Sequence, residues 1–174
     1  SVFFGKDGTG LMNGLFQGVS RGPSSFASYG TLARTADKLV LTNSKGEKSY
    51  YRAKGDKLEM LDRDGNPINS ALNYTLESVK ASLPTTPMAM RGMYFYMADA
   101  ATFTDCVTGK TVAVANNAQL ERDYAAARGT DTRPVLLVVE GHFTLEANPD
   151  TGEMMKTLMT DKDSKFIPGK DCGN

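Results

Sequence analysis

Cys106 and Cys172 are the only cysteines in the chain, and their wide separation constrains the fold more than any other feature. Between them lie a helix signal and most of the apolar strand signals of the C-terminal half. Cys-x-x-Cys spacing, the pattern of a metal site or a redox dithiol, is absent. A bond joining the two would tie the last strand back to the first hairpin of one small domain. In the chain-entropy model, closing a loop of that size restricts the unfolded state by about 4 kcal/mol. That is a large share of a typical net stability of about 5–15 kcal/mol. Such bonds persist in oxidising compartments, so the arrangement points to a periplasmic or extracellular protein. The alternative at this point is a pair of buried free thiols in a cytosolic protein.

The chain of 174 residues fits one domain or two small ones. Lys plus Arg and Asp plus Glu both number 20, so formal net charge is zero. There is no basic field to hold a nucleic-acid backbone and no like-charged tail. No apolar run approaches the roughly 18 residues that span a bilayer, and no signal-peptide pattern opens the sequence. A secreted form would have lost that segment.

The first half reads as antiparallel strands with tight turns. Leu39-Val40-Leu41-Thr42, Lys48-Ser49-Tyr50-Tyr51-Arg52-Ala53 and Lys57-Leu58-Glu59-Met60-Leu61 recur at meander spacing. Gly46, Gly55 and Gly65 fall in the intervening turns, where a positive φ is expected. Ala71–Leu76 is the expected last strand. Residues 1–22 are crowded with glycine and read as a poor edge hairpin around Lys6-Asp7-Gly8. Leu83-Pro84-Thr85-Thr86-Pro87 is a linker, since two prolines there fit neither a helix nor a central strand.

The second half reads as Met93–Met97, Ala101–Cys106 and Thr111–Ala115 as strands, followed by a helix capped by Asn116 or Asn117. Leu120, Tyr124 and Ala127 share one face of that helix, and Gly129 ends it. Val135–Glu140 continues through Gly141 into His142–Glu146, with Gly141 as a bend at a barrel corner. A Met-rich strand over 153–159 follows, and Phe166-Ile167 leads to Cys172. Five strands with one helix after the third is the order of an OB-type barrel.

Several runs carry a resemblance. Arg91-Gly92-Met93-Tyr94-Phe95-Tyr96-Met97-Ala98-Asp99-Ala100-Ala101-Thr102-Phe103-Thr104-Asp105-Cys106, Pro134-Val135-Leu136-Leu137 and Val139-Glu140-Gly141-His142-Phe143-Thr144-Leu145 resemble the C-terminal OB domain of the NlpE family of enterobacterial outer-membrane lipoproteins. Pro23-Ser24-Ser25-Phe26-Ala27-Ser28-Tyr29-Gly30-Thr31, Leu58–Asp62 and Asn73–Glu77 resemble that family's N-terminal lipocalin-like barrel. The resemblance implies a protein lipid-anchored at the periplasmic face of the outer membrane. It also implies links to copper tolerance and surface adhesion, and activation of the Cpx envelope-stress sensor kinase through its periplasmic domain. It further implies a disulfide between Cys106 and Cys172. The family's lipidated cysteine and Cys-x-x-Cys strand have no counterpart at or after Ser1, so the chain is expected to be a shortened form. Such a form would lack its first barrel strands and expose an edge that invites strand exchange between copies.

The expected architecture is mainly β. An incomplete lipocalin-like meander covers 1–82, a Pro-rich linker 83–87, and an OB barrel with one helix 88–174. The expected function is non-catalytic sensing and signalling by protein contact. His142, the only histidine, has no Gly-x-Ser-x-Gly nucleophile near it and reads as structural. Asp62-x-Asp64-x-Asn66 only partly matches a calcium loop, since its glycine and final acid are misplaced. Asp161 and Asp163 read as solvated. Met88, Met90, Met93 and Met97 offer soft thioethers suited to copper(I), and Met154, Met155 and Met159 a second group. Against that, methionine also fills irregular barrel cores. The alternatives to signalling are therefore a periplasmic copper-binding protein and an OB module for peptide or oligosaccharide, the last from fold analogy alone. The cysteine pair is either a redox sensor or a structural staple.

Overall fold

A computed structural model describes residues 2–4, 15–20, 26–35, 37–69, 74–77, 85–115 and 117–173. The chain divides into two compact units that meet in sequence between Ser82 and Leu83, with Val19–Ala27 grouped with the second.

The first unit is an antiparallel meander. Its strands are β1 (Val2–Phe4), β2 (Leu15–Ser20), β3 (Phe26–Thr35), β4 (Lys38–Asn43), β5 (Lys48–Lys54), β6 (Lys57–Met60) and β7 (Thr75–Leu76), and they neighbour one another in chain order. Turn chemistry sets the register. Asn43 Oδ1 accepts the amides of Lys45 and Glu47 at 3.0 and 2.9 Å, and Gly46 takes φ 82°. Period-two alternation then buries Leu39, Leu41 and Tyr51 on one face, with Leu32, Leu58, Met60 and Leu76 packed against them. On β5 and β6, Arg52 stands directly opposite Glu59 and grips its carboxylate at 3.1 and 3.2 Å.

The pairing of Val2–Phe4 with Phe16–Gly18 makes the N-terminal segment a hairpin. The expected turn at Lys6-Asp7-Gly8 lies outside the described residues, as does the 71–73 part of the expected last strand. Strand β3 was not anticipated from its own residues, because Gly30 and a mixture of small and polar side chains blur its alternation. A Cβ at Gly30 would sit 1.8 Å from the Thr42 carbonyl oxygen, so close strand contact requires glycine there.

The second unit is a closed barrel of β8 (Met88–Met97), β9 (Ala100–Asp105), β10 (Thr111–Ala115), β11 (Val135–Ala147) and β12 (Met154–Ile167), with α1 (Ala118–Arg128) between β10 and β11. The ring runs β10-β12-β11-β8-β9 and closes through a parallel pairing of Ala113–Ala115 with Thr157–Met159. Its core is the inward face of each strand: Met88, Met90 and Tyr94, then Phe103, Val112, Val135, Leu137, Val139, Phe143 and Leu158.

The structure adjusts three expectations. The strand at Met93–Met97 begins at Met88, because inward Met88 and Met90 extend the same alternation. The Met-rich strand and Phe166-Ile167 form one strand, β12, which pairs with β11 along its length. Asn117 occupies the N-cap position of α1 without capping it. Its side-chain amide instead donates to the Tyr94 hydroxyl at 3.3 Å. The buried hydroxyl thus accepts a hydrogen bond from within the protein. Tyr94 meets Tyr124 and Phe166 edge-on, each at 5.3 Å between ring centroids, and Tyr124 donates to the Arg133 carbonyl at 2.8 Å. Burial, outweighing the Asn117 contact, pushes the Tyr94 hydroxyl up to about 12.

Candidate functional site: the disulfide-closed side of the C-terminal barrel

Cys106 follows directly on β9, and Cys172 lies beyond the end of β12. The two are bonded, with their Cα atoms 5.3 Å apart. Two features present Cys106. Its amide donates to the Arg91 carbonyl at 2.9 Å, continuing the β8–β9 ladder one residue past Asp105. Asp105 also organises the turn to β10. Its carboxylate accepts the Thr108 amide and hydroxyl at 2.8 and 2.9 Å, while its carbonyl accepts the Gly109 amide at 2.8 Å. Gly109 takes φ 71° there, a conformation that a side chain would strain. Arg91 reaches the other partner, since its guanidinium donates to the Asp171 carbonyl at 3.4 Å, one residue before Cys172. One strand residue therefore touches both cysteine-bearing segments.

Beside this turn the barrel encloses an unusual lysine. Lys156 shares the inward side of β12 with Leu158, and its ammonium lies 4.2 Å from the centroid of the Phe143 ring. Burial pulls the ammonium down to about 8, and the charge of Asp105 opposes that fall. Sequence reading missed Lys156, although its parity with Leu158 marks it as inward.

The expected metal set is split by the pleat of β8. Met88 and Met90 point into the core at 5% and 2% exposure, whereas Met93 and Met97 lie on the opposite face and Met97 is 63% exposed. A pleated strand cannot aim both faces at one ion, so the four do not form one centre. Met154 is exposed. Met155 accepts a hydrogen bond from the Asn148 amide, and Met159 stands opposite His142 in the β11–β12 ladder. Among the described residues, no group of three or more His, Cys, Asp or Glu side chains gathers to hold a metal. Asp62 spends its carboxylate on the Asp64 and Asn66 amides, both at 2.9 Å, which makes that segment an ordinary side-chain-closed turn.

His142 Nδ1 lies 2.8 Å from Asp161 Oδ2. Register explains the pairing. The ladder steps from Gly141 opposite Thr160 to Glu140 opposite Lys162, which leaves Asp161 as an inserted residue whose side chain reaches the histidine. The pair fastens the strand bend.

Comparison with known proteins identifies the assembly. The family model described as the NlpE C-terminal OB domain matches residues 84–173, and the one described as the NlpE N-terminal domain matches residues 1–71. The chain belongs to the NlpE family. Lipoprotein NlpE of Escherichia coli strain K12 is 69% identical over 174 residues, covering 100% of this chain and 74% of the relative. The solved structure of the Cpx pathway activator NlpE from Escherichia coli is 63% identical with a TM-score of 0.55. That match covers 99% of this chain and 88% of the other. NlpE membership accounts for the pairing of a β meander with an OB barrel. Among the described residues, no helix is long and apolar enough to cross a membrane.

Proposed function

We propose that this chain is the body of an envelope lipoprotein, held at the periplasmic face of the outer membrane, that activates the Cpx sensor kinase by contact with its periplasmic domain. The observation that carries this reading is similarity along the whole of this chain, at 69% identity and over 74% of the relative, to lipoprotein NlpE, the Cpx pathway activator of Escherichia coli. The disulfide supports an oxidising compartment. On this reading the protein works as a sensing surface rather than as an enzyme, and surface adhesion and envelope stress are the stimuli. Copper tolerance follows from the stress response. The division of Met88 and Met90 from Met93 and Met97 favours this over a resident copper site.

The test is a reporter assay. The chain is fused to a lipoprotein leader and overproduced in an enterobacterial strain that lacks its own NlpE, with transcription read from a Cpx-dependent promoter. A several-fold rise that disappears when the sensor kinase is deleted is expected. No rise in a strain with the kinase, at matched protein levels, contradicts the reading.

A further inference from the structure

Asp105 and Lys156 are the charged residues buried among the described ones, at 2% and 8% exposure. They approach the barrel interior from different strands, β9 and β12. The residue across from Lys156 on β11 is Leu145, and the ring over its ammonium belongs to Phe143. The inward side chains Met88 and Met90 on β8 and Val112 on β10 are apolar. Asp105 acts on Lys156 through its charge, while its carboxylate is engaged by Thr108 in the turn beside Cys106.

We propose that Lys156, buried over the Phe143 ring, is a proton-responsive group inside the barrel, so that the stability of the disulfide-closed domain depends on whether Lys156 carries its proton. A protonated amine in this position has exchanged water for an apolar interior and one ring face, which is incomplete compensation for burial. Burial accordingly draws the folded-state value down to about 8, below the ordinary 10.5.

The sign follows from linkage. Below pH 8 both folded and unfolded chains hold the proton, and the folded state bears the full penalty of a buried charge. Between about 8 and 10.5 the unfolded chain holds the proton and the folded chain does not, so stability rises with pH across that window. The folding equilibrium gains up to about tenfold per pH unit there. The disulfide-closed barrel is therefore firmer in alkaline than in neutral surroundings, a response built into its core rather than its surface.

The experiment uses the oxidised full chain with lysine labelled at Cε, followed by carbon-detected NMR from pH 6 to 11. One lysine signal, missing from Lys156→Met, should titrate near pH 8 while the others titrate above about 10. Asp105→Asn should move that midpoint lower still. Titration of every lysine together above about 10 overturns the proposal, and this reading needs no variant to fold. Denaturant unfolding across the same range gives a second arm. The parent should gain stability relative to Lys156→Met between pH 8 and 10.5, and parallel curves overturn the proposal.

Discussion

Gly92 shows how tightly single residues are specified in the barrel. A Cβ there would lie 2.4 Å from Phe103 Cζ and 2.6 Å from the Thr104 carbonyl oxygen. Phe103 is fully buried and the Thr104 carbonyl is backbone, so neither can move away cheaply. Gly92→Ala should therefore lower unfolding stability by about 1–3 kcal/mol, the usual cost of overpacking. Thermal or denaturant unfolding of the oxidised protein measures it, and an unchanged midpoint would mean that the barrel is looser than this geometry. At this scale the sequence is readable where one rule acts alone. Gly46, Gly55 and Gly65 fall at positive φ, as turn position required. Of the two expected caps, Asn116 lies outside the described residues, and Asn117 holds the N-cap position without a capping bond while its Nδ2 donates to the hydroxyl of Tyr94, a contact 23 residues away that local propensity does not reveal. Lys156 escaped notice for a related reason. A lysine is ordinarily taken as exposed, and only its strand parity marked it as inward.

Among the elements, the β11–β12 hairpin dominates the second unit, and Gly141 was legible in sequence as a special position on it, which the structure shows as a close backbone approach beside a register shift. Gly141 was expected to turn the strand, and a Cβ there would meet the Met159 carbonyl oxygen at 2.5 Å. The inserted Asp161 and its bond to His142 were not legible, because a bulge exists only once two strands have chosen their register. The same limit affects the methionines. Spacing along β8 made four of them look like one group, and the pleat put them on two faces. Strand β12 carries the chain on to Cys172, so the disulfide secures the end of this hairpin to β9 across 66 residues. Cys172→Ser should cost the second unit about 2–5 kcal/mol, the usual loss on removing a native bond from a small domain. Unfolding monitored within that unit checks this, and alkylation without reductant should add no mass to the parent. Retained stability in the variant would show that the bond carries little of the fold. Comparing the same variant in the Cpx reporter separates a sensor from a staple. Altered signalling at matched folded protein supports the sensor, and unchanged signalling leaves the bond as structure.

As a whole molecule the chain joins two kinds of β architecture, and the reasons each was legible differ. The OB order followed from five strand signals and one well-placed helix, all strongly patterned. The meander followed from turns at regular spacing, whereas its lipocalin-like character rested on the resemblance. Strand exchange between copies is the assembly proposed for a meander that presents strand edges. Light scattering of the concentrated protein should show a dimer, and a strictly monomeric mass at high concentration would rule the exchange out. On the proposed function, this molecule acts by touching the sensor kinase. Calorimetric titration of the oxidised chain into the purified periplasmic domain of that kinase tests it most directly. Saturable binding is expected, with a dissociation constant of about micromolar strength, equivalent to about −8 kcal/mol. No heat and no complex at concentrations of hundreds of micromolar would contradict it.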